Sequence, residues 1–151
     1  MNSLTFKTIN LANADQLIEI ENQCHSHPWS KKTFISCIGG RYIGEFALNK
    51  KQEIIGFYVG DHVADEATLM DICVMPTKQG KGFGNLLLSQ FIMQTKQFSV
   101  SKIFLEVRVS NISAQMLYIQ HNFIEISRRT GYYPSAKGFG YEDAIVMCLT
   151  L

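Results

Sequence analysis

The chain has 151 residues, 46 % of them hydrophobic, with 14 basic and 13 acidic side chains giving a net charge of +1. That length suits one domain, residues 1–151, around a single core. The near-neutral balance gives no electrostatic case for a nucleic-acid or anionic-membrane partner. No run approaches the ~18 apolar residues of a membrane span, and Met1-Asn2-Ser3-Leu4-Thr5 lacks the basic-then-apolar order of a secretory signal.

In chain order, Leu4 to Ile9 alternates and predicts a strand. Asn13-Ala14-Asp15-Gln16 has the form of a capping box, and Leu17, Ile20 and Cys24 follow at helical spacing. Pro28-Trp29 stops that helix, and Ser30 caps a second one through Phe34 and Cys37 to Gly39-Gly40. Tyr42 to Leu48 and Glu53 to His62 predict a hairpin about the polar turn 49–52, with Thr68 to Val74 as a third strand.

Next comes Gln79-Gly80-Lys81-Gly82-Phe83-Gly84-Asn85, followed by a helical run from Leu86 that bears Leu87, Leu88, Phe91 and Ile92. Lys102 to Val107 predicts a strand. Ser110 or Asn111 caps a helix with Ala114, Leu117, Tyr118 and His121 in one stripe. Asn122 suits the left-handed turn that ends it. Strands Phe123 to Arg129 and Glu142 to Leu149 close the chain around a loop rich in Tyr, Gly and Pro. The order β-α-α-β-β-β-α-β-α-β-β predicts an α/β (α+β) domain, with a mixed, mostly antiparallel sheet and helices on both faces.

The glycine segment carries the functional signal. Three glycines in five residues bring backbone N–H groups together, and the positive end of a helix faces the same space. That arrangement predicts a phosphate or pyrophosphate ligand. No Gly-Lys-Ser/Thr ending is present, so it is not a Walker A loop. The third glycine of a G-x-G-x-x-G fingerprint would fall at Leu87 or Asn85. What fits is Gln-x-x-Gly-x-Gly at Gln79, Gly82 and Gly84.

Two further positions could carry chemistry. Strand period sends Glu106 to the face opposite Leu105 and Val107. A carboxylate in the last turn of an interior strand is either used or paired, the obvious partner being Arg108. Tyr118 is either core packing or a proton source. The cysteines Cys24, Cys37, Cys73 and Cys148 form no C-x-x-C pair and suit free thiols in a reducing, cytoplasmic setting. Cys24-His25-Ser26-His27 lacks a fourth ligand, so no metal is expected. No histidine lies near Cys73 in sequence to activate it as an acyl acceptor.

The Gln-x-x-Gly-x-Gly loop resembles the pyrophosphate loop of the GNAT N-acetyltransferases, which hold acetyl-CoA. Leu105-Glu106-Val107-Arg108 followed by Asn111, Tyr118-x-x-x-Asn122-Phe123, Tyr132-Tyr133-Pro134, Glu142-Asp143-Ala144-Ile145-x-Met147 and His27-Pro28-Trp29-Ser30 extend the likeness along the whole chain. Together they resemble the bacterial ribosomal-protein-alanine branch of that family. The resemblance implies Glu106 as general base and Tyr118 as general acid. It implies acetyl-CoA contacts from Ile72, Cys73 and Val74, from Gly80, Lys81, Gly82, Phe83, Gly84 and Asn85, and from Asn111. It also implies an acceptor at the N terminus of a small-subunit ribosomal protein, and a monomer is expected. Gln79 stands where arginine is common, Asn122 where glycine is common, and Thr130-Gly131 lengthens the approach to Tyr132-Tyr133-Pro134. A lysine or small-amine acetyltransferase and a non-catalytic acyl-CoA-binding module are the alternative readings.

Overall fold

The computed structural model describes residues 3–151. The elements are β1 (Thr5–Thr8), α1 (Ala14–Cys24), α2 (Lys31–Ser36), β2 (Tyr42–Leu48), β3 (Ile54–Val63), β4 (Glu66–Val74), α3 (Phe83–Gln97), β5 (Lys102–Arg108), α4 (Ile112–Gln120), β6 (Ile124–Pro134) and β7 (Tyr141–Thr150), with a 3₁₀ turn at Pro76–Lys78. All seven strands form one sheet in the order β1-β2-β3-β4-β5-β7-β6. Every pair is antiparallel except β4 with β5. The expected class and element order are borne out.

Each face of the sheet is covered by helices with an apolar stripe. Phe83, Leu87, Leu88, Phe91 and Thr95 of α3 recur at helical spacing, three or four residues apart, and are buried. On that face they meet Tyr58, Leu69, Ile103, Leu105 and Tyr118. On the other face Leu17 and Ile20 of α1 and Phe34 of α2 pack on Phe57, Val59 and Cys73. Phe34 meets Phe57 edge-on at 5.6 Å. No helix among the described residues is long and apolar enough to cross a membrane.

The parallel pair positions the site. β4 and β5 are in register only from Glu66 with Lys102 to Leu69 with Leu105. Beyond that they separate, and the sheet splits where Met70–Val74 and Glu106–Arg108 continue. β4 also carries a bulge: Val59 faces Asp71 while Gly60 faces Leu69, so Met70 is the extra residue. The bulge flips the side-chain alternation. Ala67 and Leu69 pack on the α3 face, whereas Cys73 packs on the α1 face.

Four expectations are corrected. Asn13 does not cap α1 with its side chain. Its backbone is helical rather than extended, and its Oδ1 instead accepts from Asn10 N–H at 3.0 Å. α3 begins at Phe83, three residues before Leu86, because Gly82 at φ +86° turns the chain directly into it. The Tyr-rich segment is not loop. β6 runs through Tyr132-Tyr133-Pro134, and its pairing with β7 jumps from Arg129–Ala144 to Tyr133–Glu142. Thr130-Gly131 lies inside that jump, where Asp143 Oδ1 accepts Gly131 N–H at 2.9 Å. Glu106 does not pair with Arg108, as described below. Ser30 and Asn111 do cap α2 and α4, accepting from Thr33 N–H and Ala114 N–H, and Asn122 is left-handed at φ +71°.

Candidate active site

Two cavities of about 470 Å³ each open where β4 and β5 part. The first is lined by Ile72, Cys73, Val74, Gly80, Gly82, Gly84, Asn85 and Asn111. These were expected to contact the cofactor. A Cβ built on Gly80 or Gly82 would meet nothing within 4 Å, and both have positive φ. The space beside them is open to a ligand, and the backbone N–H groups entering α3 face it without side chains. Lys81 and Phe83 do not line this cavity, and the Phe83 side chain is turned into the core. Gln79 also lines this cavity, with its side-chain amide engaged by the backbone. Its Nε2 donates to Val74 O at 3.0 Å and ties the loop back to the end of β4. Asn111 spends its side-chain oxygen on the α4 cap.

The second cavity is lined by Glu106, Arg108, Tyr133, His27 and Trp29. The two cavities share Cys24, His25, Ile72, Asn111, Ala114 and Tyr118. Tyr118 therefore stands at their junction, and Glu106 on the second side alone. Tyr118 is buried, with Phe123 at 5.9 Å between ring centres. Burial first, and then the charge of Asp71, pushes its phenol above the ordinary value. The hydroxyl stays protonated at working pH and so has a proton to donate.

Glu106 Oε1 takes an ion pair from Arg129 Nε at 3.2 Å across the sheet. Arg108, the expected partner, is engaged elsewhere. It donates to Glu142 Oε2 at 3.4 Å and to the Pro134 carbonyl, and its guanidinium lies 4.5 Å over the Tyr133 ring. Sequence spacing favours the residue two along, but Arg129, two strands away on β6, reaches Glu106 instead. Burial first, and then the Glu106 charge, raises Tyr133 to about 12, so that hydroxyl is also a donor.

Under the junction lies a group that the linear sequence does not reveal. His25, just past α1, reaches Glu21 of α1 and both Asp71 and Cys73 of β4. His25 Nε2 stands 2.8 Å from Asp71 Oδ1, 3.1 Å from Cys73 Sγ and 3.6 Å from Glu21 Oε1. Cys73 Sγ lies 3.3 Å from Glu21 Oε1 and 3.5 Å from Asp71 Oδ1. Burial lowers the His25 imidazole, but the hydrogen bond and charge of Asp71 and the charge of Glu21 outweigh it, raising it to about 9. Glu21 is raised to about 8 by burial first, then by Asp71. A histidine does therefore reach Cys73, although none is near in sequence. This is still not a nucleophilic triad. The same ring nitrogen contacts both Asp71 and Cys73, whereas a triad uses the two nitrogens separately. Burial also drives the Cys73 thiol well above its usual range.

A split sheet, a glycine cradle at a helix start and a cleft between them define an acyl-CoA-type transferase fold. The chain matches the Acetyltransferase (GNAT) family over residues 14–123. It belongs to that family. It is 45 % identical over 137 residues to the ribosomal protein bS18-alanine N-acetyltransferase of Haemophilus influenzae, covering 91 % of this chain and 92 % of that protein. It is 37 % identical over 147 residues to the enzyme of the same name from Escherichia coli K12, covering 97 % of each. A crystal structure of the Escherichia coli ribosomal-protein-S18-alanine N-acetyltransferase superposes with a TM-score of 0.91 at 36 % identity, covering 98 % of this chain and 94 % of that one.

Proposed function

We propose that this protein transfers the acetyl group of acetyl-CoA directly to the α-amine of an N-terminal alanine on small-subunit ribosomal protein bS18, in the cytoplasm. The observation that carries this reading is the meeting of two cavities at Tyr118, with the glycine cradle on one side and Glu106 on the other. A donor thioester on Gly80, Gly82, Gly84 and Asn85 would bring its sulfur toward Tyr118. An acceptor entering between Trp29 and Tyr133 would bring its nitrogen toward Glu106.

The chemistry suits an α-amine. At pH 7 neutralising a peptide α-ammonium of pKa ~8 costs roughly 1.4 kcal/mol, against nearly ~5 kcal/mol for lysine. Glu106, directly or through one water, takes the amine proton as nitrogen attacks the acetyl carbon. The tetrahedral oxyanion is stabilised by an N–H of the unpaired end of β4. The C–S bond then breaks, and the sulfur receives the Tyr118 proton. The first products are the acetamide and free CoA thiol.

The test is a peptide bearing the alanine-initiated N terminus of bS18, compared with the same peptide blocked at its N terminus but carrying free lysines. Acetylation at the first nitrogen, with a far slower reaction of the blocked peptide, is expected. Equal rates would overturn the α-amine assignment in favour of a lysine or small-amine acceptor, and no turnover on any amine would leave only a binding module.

A further inference from the structure

We propose that Glu21, His25, Asp71 and Cys73 form a structural zinc site that pins the end of α1 to the bulged half of β4. The four donor atoms all lie within 4.8 Å of one another. Five of the six pairs stand 2.8, 3.1, 3.3, 3.5 and 3.6 Å apart. In a tetrahedral zinc site with nitrogen and oxygen ligands at ~2.0–2.1 Å and sulfur at ~2.3 Å, donor atoms stand roughly 3.3–3.6 Å apart. Shifts of about 0.5 Å or less bring these pairs to that spacing.

A metal-free hydrogen-bond cluster leaves one buried polar atom of this arrangement without a partner among the described residues. Glu21, Asp71 and Cys73 are 1 %, 7 % and 2 % exposed. Two carboxyl groups and a thiol are thus packed against a single imidazole, and burying such groups is costly unless they are paired or bind a metal. Asp71 Oδ2 is buried with no hydrogen-bond partner among the described residues. On metal binding Glu21 and Cys73 would give up their protons, and the divalent ion would compensate the two anionic ligands so formed.

The surroundings are those of a ligand set. Glu21 Oε2 accepts the Trp29 backbone N–H at 2.9 Å, which turns Oε1 inward toward the thiol. Outer hydrogen bonds of this kind orient ligating carboxylates. The ligands come from two rigid elements, with Glu21 and His25 four apart at the end of α1 and Asp71 and Cys73 two apart on one strand face. The Met70 bulge is what turns that face toward α1. Both cavities reach the cluster, and the His25 side chain is 37 % exposed, so an ion has a way in.

Mixed sulfur, nitrogen and oxygen donors suit zinc, a borderline-soft ion without geometric preference of its own. Binding displaces the thiol proton of Cys73 and the remaining protons of the cluster to solvent. With all four positions supplied by protein, the ion is a brace and not a Lewis acid for the reaction. It would hold the Trp29 wall of the acceptor cleft against the strand that faces the cofactor cradle. The site stands independently of the proposed acetyl acceptor.

The experiment uses the full chain stripped of metal by a chelator and titrated with Co²⁺, then Zn²⁺. One cobalt per chain should bind with the visible bands of a tetrahedral site and a near-ultraviolet thiolate-to-cobalt band. One equivalent of zinc should erase both and raise the unfolding midpoint. Cys73→Ser should lose the thiolate band, while Cys24→Ser and Cys148→Ser keep it. His25→Ala removes a partly exposed ligand and should fold even if Cys73→Ser does not. It should weaken cobalt binding by more than about 100-fold. Weak six-coordinate binding without a thiolate band, survival of the band in Cys73→Ser, or unchanged affinity in His25→Ala would each overturn the site.

Discussion

In the proposed reaction Glu106 would remove a proton from the acceptor and Tyr118 would give one to the leaving thiolate, and their environments differ accordingly. Glu106 sits on the cleft side in an ion pair with the exposed Arg129 side chain, and Tyr118 is enclosed at the junction. Glu106→Gln keeps the shape but cannot accept a proton, so turnover should fall by roughly 10²–10⁴. Part of that loss should return as pH rises toward ~8 and above, where the α-amine is already neutral. A pH–rate profile that runs parallel to wild type would exclude the base role. Tyr118→Phe keeps the ring against Phe123 but removes the donor. Its defect should persist at every pH, because raising pH supplies no acid. It should shrink with an acyl donor whose thiol is more acidic and departs unaided. If the Phe variant matches wild type under conditions where chemistry limits the rate, Tyr118 is a packing residue. The raised phenol pKa bears on this test. A weakly acidic hydroxyl gives up its proton only as the sulfur gains charge, so in the proposed reaction proton transfer would accompany or follow C–S cleavage and not precede it.

At the scale of elements, the cradle depends on how α3 begins. Gly82 at φ +86° is the residue before the helix, and the space a side chain would take there is vacant. Gly82→Val forces a β-branched residue into a left-handed turn and fills the approach to the N–H groups. The change touches no packed atom, so the fold should survive while CoA affinity is lost. Calorimetry on the folded variant measures this, and an unchanged affinity for CoA removes the loop from the cofactor site. β4 is the other decisive element. Its first half packs on the α3 face, and its second half, past the bulge, turns Asp71 and Cys73 to α1. One strand thereby serves the cleft and the cluster beneath it.

For the whole molecule, the parting of β4 from β5 past Leu69 and Leu105 opens a split in the middle of the sheet. A cofactor that fits the split should stabilise the entire chain, because it binds the folded state alone. At 100 times its dissociation constant, CoA would contribute about 2.7 kcal/mol. For a chain of this size the unfolding midpoint should rise by roughly 5–10 °C. Thermal unfolding with and without CoA reads this directly. No rise for wild type would argue against cofactor binding in the split, and a rise that persists in Gly82→Val would argue against the cradle.

Much of this protein was determined by local pattern. Alternating and helical hydrophobic periods set the element order, because burial on one face needs those periods whatever the partner. Ser30, Asn111 and Asn122 marked helix ends by chemistry that acts within four residues. Gly80, Gly82 and Gly84 disclosed the cradle for the same reason, since backbone freedom is a property of the residue itself. Tertiary structure alone decided what lies far apart in sequence. Arg129 displaced Arg108 as the partner of Glu106 because the strand order sets β6 two strands from β5, within reach of a long side chain. His25 met Cys73, 48 positions away, because α1 ends over β4 and one bulged residue turned that face toward it. Neither register nor bulge leaves a local periodic trace, so no spacing in the chain could have announced those contacts.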